Sequence, residues 1–586
     1  MTAFLPHEDP DPEQRQLSLK RAQRLYQYSY THVSPLAVLD RVPIRDEFSF
    51  RWLSSVSKQV FVGLENMWAM ESDNELKHHH GHKLTVFSKI LERGEACLHG
   101  LKEIVSDALK FSPRLATESR RPESLEDYTK MFHAIGLPPV ARDFKDDRVF
   151  SWMRLGGPNA VMLKHVNQLE DRFPVTDKHL QVAIPNDTLD AAMAEGRLYI
   201  VDYHMLDGVE QGDYPHGQKY IYAPMAMFVV DPKSKGLLPF AIQLKQKPAS
   251  DNPIFTPDDD WNWLIAKTMV EVADGNVHEA STHLGRTHMF IEPFVVTTFR
   301  QLGPNHPVAL LLAPHFEGTL AINEAAWRHL IANKGAVDKL FGASIKAARG
   351  LTASSVRDNP FNEAMLADSF ERRGVADRDL LPEYPYRDDS LLYWTAIEKW
   401  VADYLTIYYP NEGDPQADTE LQAWHAELIS QEGGRVVGFG ERNGIVTRSY
   451  LTQALTLIIY TCSVQHAAVN FPQYDLMSYT PNMPLASYAA APTSKSGATE
   501  QDFLDTLPPL DMAELQMNLG HLLGTVHYTQ LGQYAPTHFR DQRVANPMQT
   551  LQQQIASIGS TIDERNKLRR PYEFLKPTGV PQSINI

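Results

Sequence analysis

A chain of 586 residues with 43% hydrophobic content can bury a large core, and its formal charge of −16 argues against a nucleic-acid-binding surface. Only Cys97 and Cys462 are present, which excludes a disulfide framework and a thiolate metal site. The start has no apolar signal-type region and no uninterrupted apolar run is long enough to span a bilayer, so a cytoplasmic protein is expected.

In chain order, an acidic, Pro-rich start reads as disordered. Residues 14–30 then set Leu17, Ala22, Leu25 and Tyr28 among Arg15, Lys20, Arg21 and Arg24, a mildly amphipathic basic helix. Such a helix packs on its own domain or lies on an anionic membrane surface, and the first is the commoner fate. Residues 48–70 form a clearer helix, with Trp52, Val56, Val60, Leu64 and Trp68 every four residues. That stripe reads as core, or, if exposed, as a surface for acquiring lipid. The run His78, His79, His80, His82 lacks a hydrophobic frame and reads as a solvated loop rather than a metal site. Residues 111–127 mix Pro, Ser and charge, as a surface connection does. Strands are expected over 198–206, 219–231 and 237–246, a small sheet at about 197–246 inserted in a helical chain.

Residues 258–294 carry the densest chemistry. Trp261, Leu264, Ile265, Met269, Val272 and Ala273 recur at helical spacing behind Asp258, Asp259 and Asp260, residues suited to a helix start. His278, His283 and His288 follow at five-residue intervals. At about 100° per residue, positions five apart on a regular helix diverge by roughly 140° and cannot share one metal. A π-turn, with its i→i+5 hydrogen bond, brings them to one face. The spacing therefore implies either no metal or a widened helix. It also sets the segment His278-Glu279-Ala280-Ser281-Thr282-His283 apart from the zinc-protease helix motif, whose histidines stand four apart.

The helical reading resumes after residues 304–314 and dominates to the end, most clearly over 325–340, 391–409 and 450–469, with Pro-rich breaks at 472–492 and 507–509. His466 and Asn470 sit in the apolar stretch LTQALTLIIYTCSVQHAAVNFPQY (451–474) and, four apart, point the same way. Alone, such a pair is more often a hydrogen-bonded core pair than a pair of ligands. The chain stops at VPQSINI, an apolar end able to tuck inside and present the α-carboxylate of Ile586, although most termini fray.

Taken together these features resemble the lipoxygenases. The resemblance rests on His-x4-His-x4-His, the HAAVN helix and the terminal isoleucine. It rests also on RLGGPN (154–159), LLPFAIQL (237–244), HPVALLLAPH (306–315) and YPYRDDSLLYW (384–394), in family order from about residue 150 to the last residue. It implies a mainly α fold: a large helical catalytic domain over 36–586 with a small inserted antiparallel sheet, and metal-binding helices at about 258–294 and 450–470. Residues 1–35 would be an N-terminal extension with an amphipathic helix. Many eukaryotic members begin with a β-sandwich lipid-binding domain, and no run of alternating strands before residue 150 suggests one here.

By position, the resemblance implies His283, His288, His466, Asn470 and the carboxylate of Ile586 as metal ligands. They would hold a metal-bound water or hydroxide as the catalytic group. His278 would support the site without binding, and Glu279 and Gln473 would orient the ligands. A sulfur-free N/O set suits non-haem iron or manganese, and the terminal isoleucine resembles the iron members, giving one iron per chain. The implied reaction adds O2 to a polyunsaturated fatty acid with a cis,cis-1,4-pentadiene, after hydrogen removal from the bis-allylic carbon, to give a hydroperoxide. Ala326 falls at the family's alanine-or-glycine position, Leu330 matches the leucine over the reacting carbon, and Gly275 falls where animal members carry a bulky residue that shortens the pocket. The rival readings on the same site are a hydroperoxide isomerase or a manganese enzyme. A non-catalytic lipid-binding protein is the alternative of another class. Peripheral membrane contact would fall to the helices at 14–30 and 48–70.

Overall fold

The computed structural model describes residues 2–73 and 119–586. The histidine run at 78–82, Cys97 and residues 111–118 of the expected surface connection lie outside these. Of the rest of that connection, Leu125–Thr129 is a short helix, entered through a capping box between Ser124 and Asp127.

Helix α1 (Pro12–Leu25) starts where Asp11 accepts from the Gln14 N–H at 3.0 Å, with Pro at the first helical position. It is docked on the body through Arg15, which is buried and forks onto Glu420 at 2.6 and 2.7 Å while also meeting Asp9 and Asn305. Leu17 and Leu25 stay exposed on its outer side. Strands β1 (Tyr28–Ser29) and β2 (Val38–Leu39) form a short antiparallel ladder.

Helix α2 (Phe50–Asp73) buries only the first part of its expected stripe: Trp52 and Val56 are buried, Val60 and Leu64 half-buried, and Trp68 exposed. The cause is geometric. A strict four-residue repeat precesses by about 40° per step, so Trp68 lies roughly 160° round the helix from Trp52.

The inserted sheet has five strands in chain order, β3 (Lys164–His165), β4 (Leu198–Asp202), β5 (Met225–Val230), β6 (Leu237–Gln243) and β7 (Ile254–Phe255), all antiparallel. Pro239, which has no N–H, sits where the β5–β6 register shifts beside Met227 and Phe228. Residues 219–224, expected as strand, contribute only an isolated bridge from Tyr220 to Ser487.

One continuous helical run forms the spine of the molecule: α3 (Asp260–Val277), a π-helical stretch (His278–Met289) and α4 (Phe290–Gln301). It is buried on nearly every side, as expected of a helix with no wide polar face. Arg154, from the RLGGPN block, is wholly buried against it and pairs with Glu271 at 2.6 Å and Asp274 at 3.1 Å. Helix α5 (Ile345–Arg357) packs along the π-helical stretch. Gly285 allows that approach, because a Cβ there would meet Ser355 Oγ at 2.0 Å and the Thr352 carbonyl at 3.2 Å. Helices α6 (Pro385–Tyr408) and α7 (Arg448–Tyr460) pack on each other, and α8 (Leu510–Thr525) lies against α2.

Two expectations are corrected. The single helix at 325–340 is instead a π-turn (Ala326–Leu330), a break, and a short helix (Ala336–Leu340). Lys334 takes a left-handed backbone with φ of 62°, and any Cβ on Gly335 would lie 2.2 Å from the His329 carbonyl. Secondly, Arg448–Met477 is long and apolar enough to cross a membrane by length and composition, contrary to the sequence reading. Its most apolar 18 residues are 94% buried within the protein, so its apolarity serves the core.

Candidate metal centre

The site is assembled from two widened helices. Residues 278–289 are π-helical throughout, so the five-residue spacing of the histidines returns each to a similar azimuth. The facing run is α-helical over His466–Asn470, between π-turns at Thr461–Gln465 and Gln473–Met477. Its regular turn puts Asn470 on the side of His466.

His283, His288 and His466 converge, with their ligand nitrogens all within 4.8 Å of one another. Among the described residues they are the group of three or more His, Cys, Asp or Glu side chains with that closeness. All three are buried, and burial depresses each imidazole: His288 to about 3, His283 below its ordinary value and His466 well below. At neutral pH they are uncharged bases with free lone pairs.

The donor set fits a cation. Nε2 of His283 is buried without a partner. Nε2 of His288 and Nε2 of His466 stand 3.2 Å apart, and the Nδ1 of His288 is engaged with Asn323 Oδ1 at 2.8 Å. With its Nδ1 engaged, His288 presents an Nε2 lone pair; His466 either donates to it from Nε2–H or, with its proton on the unpartnered Nδ1, turns a second lone pair to the same point, where a cation would accept both. Ile586 is 2% exposed, lines the same cavity as His283 and His288, and lies against His466 through its backbone.

Surrounding groups fix these donors. His278 stays out of the convergent set and its Nε2 meets the Val469 carbonyl at 2.8 Å, bridging the two helices. Glu279 Oε2 lies 3.3 Å from His283 Nδ1. The Asn470 amide donates to the Leu523 carbonyl at 2.8 Å and accepts from Gln473 Nε2 at 3.0 Å, leaving its oxygen a further lone pair.

Sequence reasoning missed a second support. Asn323, which holds His288, donates from Nδ2 to Glu292 at 2.8 Å, and Glu292 accepts the Leu39 N–H of strand β2 at 2.7 Å. Burial pushes the Glu292 carboxyl up to about 7, opposed by those two hydrogen bonds. The available signal was a lone acid inside the apolar run MFIEPFVV (289–296).

A narrow apolar cavity leads from the histidines, with an accessible volume of about 50 Å3. Ala326 and Leu330 line it together with Leu284, Ile322, Phe341 and Leu523. Gly275 does not belong to this lining; its α-carbon packs on the 483–485 segment, where a Cβ would meet Leu485 at 2.8 Å.

Comparison with known proteins agrees with this geometry. The lipoxygenase family model matches residues 161–580. The chain is 39% identical to the linoleate 9/13-lipoxygenase of Pseudomonas aeruginosa over 526 residues, covering 86% of this chain and 76% of the relative. It is 35% identical over 471 residues to the polyunsaturated fatty acid lipoxygenase ALOX15B of Rattus norvegicus, covering 79% and 69% respectively. A solved coral 8R-lipoxygenase structure superimposes with a TM-score of 0.86 at 29% identity, over 100% of this chain and 83% of the coral one.

Proposed function

This chain belongs to the lipoxygenase family, and from that premise we propose that it adds O2 to polyunsaturated fatty acids of the linoleic type, with one non-haem iron per chain. It is an oxidoreductase of the dioxygenase kind. The observation that carries the reading is the convergence of three neutral, buried imidazoles at the head of an apolar cavity. His283, His288, His466, Asn470 and the Ile586 carboxylate are the proposed ligands. Iron is favoured over manganese by the sulfur-free N/O set and the terminal isoleucine. When bound, the metal supplies the one-electron chemistry that removes a hydrogen atom from the bis-allylic carbon.

The chain's own residues do the remainder. Gln473 and Leu523 hold the Asn470 amide, Asn323 fixes the ring of His288, and Glu279 does the same for His283. Ala326 and Leu330 shape the cavity beside the metal and exclude water from the carbon radical. Oxygen uptake with linoleic acid, measured with the metal content of the same preparation, tests this. Conjugated-diene product with near-stoichiometric iron is expected. Bound metal without uptake would favour hydroperoxide isomerisation or lipid binding, and stoichiometric manganese would overturn the metal. His288→Ala is expected to abolish metal retention and turnover together.

We also propose peripheral membrane contact through the outer side of α1, where Leu17 and Leu25 are exposed, the turn at Ile44 and the start of α2 at Phe50, on a protein resident in the cytoplasm. Flotation with anionic liposomes, comparing the full chain with one lacking residues 1–35, tests it; equal binding by both would exclude α1.

A further inference from the structure

The segment that delivers Ile586 has no secondary structure of its own, yet residues 580–586 are all buried. Its backbone groups must therefore find partners elsewhere. His315 Nδ1 meets the Gln582 carbonyl at 2.8 Å, the Gln582 N–H donates to Thr529 Oγ1 at 3.0 Å, and Thr319 Oγ1 donates to the Ile584 carbonyl at 2.9 Å. These partners lie inside the stretch matched by the family model. The last peptide carbonyl before the terminus, that of Asn585, is held differently. It accepts from the indole N–H of Trp52 at 2.5 Å, and Trp52 belongs to the first turn of α2, ahead of the matched stretch.

Trp52 is itself fixed. It is 1% exposed and stacked on Phe48 with ring centroids 3.6 Å apart. Its backbone N–H donates to Ser49 Oγ at 3.1 Å, Ser49 meets the Tyr528 hydroxyl at 2.6 Å, and Tyr528 donates to Glu317 at 2.8 Å. The Glu317 carbonyl in turn accepts from Ser583 Oγ at 2.8 Å. The start of α2 and the terminal segment are thus closed into one ring of contacts. The Asn585 carbonyl belongs to the peptide plane that ends at the Ile586 Cα, so holding it places the atom from which the terminal carboxylate projects.

We propose that Trp52 is a positioning residue for the metal centre, orienting the Ile586 carboxylate through the Asn585 peptide. The inference rests on the reading of Ile586 as a ligand. Trp52 also borders a surface cleft of about 860 Å3, the nearest route by which a water could replace its N–H.

The test is Trp52→Phe in the full chain, read by metal loss to a chelator, by the electron paramagnetic resonance of the oxidised metal form, and by kcat and KM. Expected are metal loss faster by about 10-fold, in the range of orienting hydrogen bonds at metal sites, a changed resonance, and a fall in kcat with KM unchanged. Trp52→His, which keeps a ring N–H, is expected to restore part of the retention. Replacing Trp52 by benzothienylalanine, a bicycle of the same shape without the N–H, gives the same readout if the phenylalanine variant fails to fold. Wild-type retention and resonance in either N–H-free variant would overturn the proposal. Deleting Ile586 separates the two claims: unchanged metal retention there would overturn the ligand reading itself, whatever Trp52 does.

Discussion

At the scale of single residues, the proposed centre is braced by groups outside its ligand set. Gln473 holds the Asn470 oxygen by one hydrogen bond at 3.0 Å in a buried setting. Gln473→Leu keeps the volume and removes that donor, and metal affinity is expected to fall by about 10–100-fold in a chelator competition. Unchanged affinity would show that Leu523 alone fixes the amide. His315 provides a pH-dependent contact at the terminal segment. Burial lowers its pKa to about 4, opposed by its contact with the Gln582 carbonyl. Its unfolded value is about 6.5, so from there down to about 4 the unfolded chain binds one more proton than the folded one. The stabilising contribution is fully present above pH 6.5 and is lost as pH falls. Between pH 6.5 and 5 the wild type is expected to lose about 2 kcal/mol more than His315→Gln in urea unfolding. Parallel pH profiles for the two proteins would rule this out.

At the scale of elements, the π-helical stretch is what converts a spacing into a site. Its i→i+5 pattern brings His283 and His288 together, and it also widens the helix against α5. Gly285 is a close approach to α5, with Ser355 Oγ 2.0 Å and the Thr352 carbonyl 3.2 Å from where a Cβ would stand, and the Ala280 carbonyl of its own helix also at 3.2 Å. Gly285→Ala is therefore expected to push α5 away, cost about 1–3 kcal/mol, and weaken metal retention even though the helix propensity of alanine is higher. The measurement is thermal melting of the metal-loaded and chelator-stripped forms. A stabilised variant would mean that the Ser355 side chain turns aside and the carbonyls yield. The precession of the α2 stripe is the same geometry in reverse: a regular helix with a four-residue repeat buries Trp52 and exposes Trp68.

At the scale of the whole molecule, cavity and substrate differ in size. The accessible volume beside the histidines is about 50 Å3, whereas pockets for drug-sized ligands run to about 300–1,000 Å3. A fatty acid is therefore expected to enter by moving a wall. The wall least supported by regular structure is 326–341, where a π-turn, a left-handed Lys334 and a short helix replace one long helix. Oleic acid, which lacks the pentadiene and does not react, is expected to change amide hydrogen exchange most in this segment. Change confined to other elements would place the opening elsewhere. Arg15 and Glu420 dock α1, Arg154 braces the spine against Glu271 and Asp274, and the terminal segment is held along its length.

The family, the reaction class and the identity of the convergent histidines were legible in the sequence, because they depend on residue type at a fixed spacing. His283, His288 and His466 lie close together and Ile586 is buried, and of the two readings that the five-residue interval left open, no metal or a widened helix, the structure contains the widened helix. Gly275 was assigned to the pocket, and the structure packs it on Leu485 instead. The helix expected at 325–340 was broken by a left-handed residue that composition alone does not reveal. What only the tertiary structure decided are the contacts between segments far apart in the chain: Trp52 with Asn585, Leu39 with Glu292, and Asn323 with His288. Periodicity and spacing are properties of one segment. A hydrogen bond between two segments depends on how the whole core packs, which no local pattern encodes.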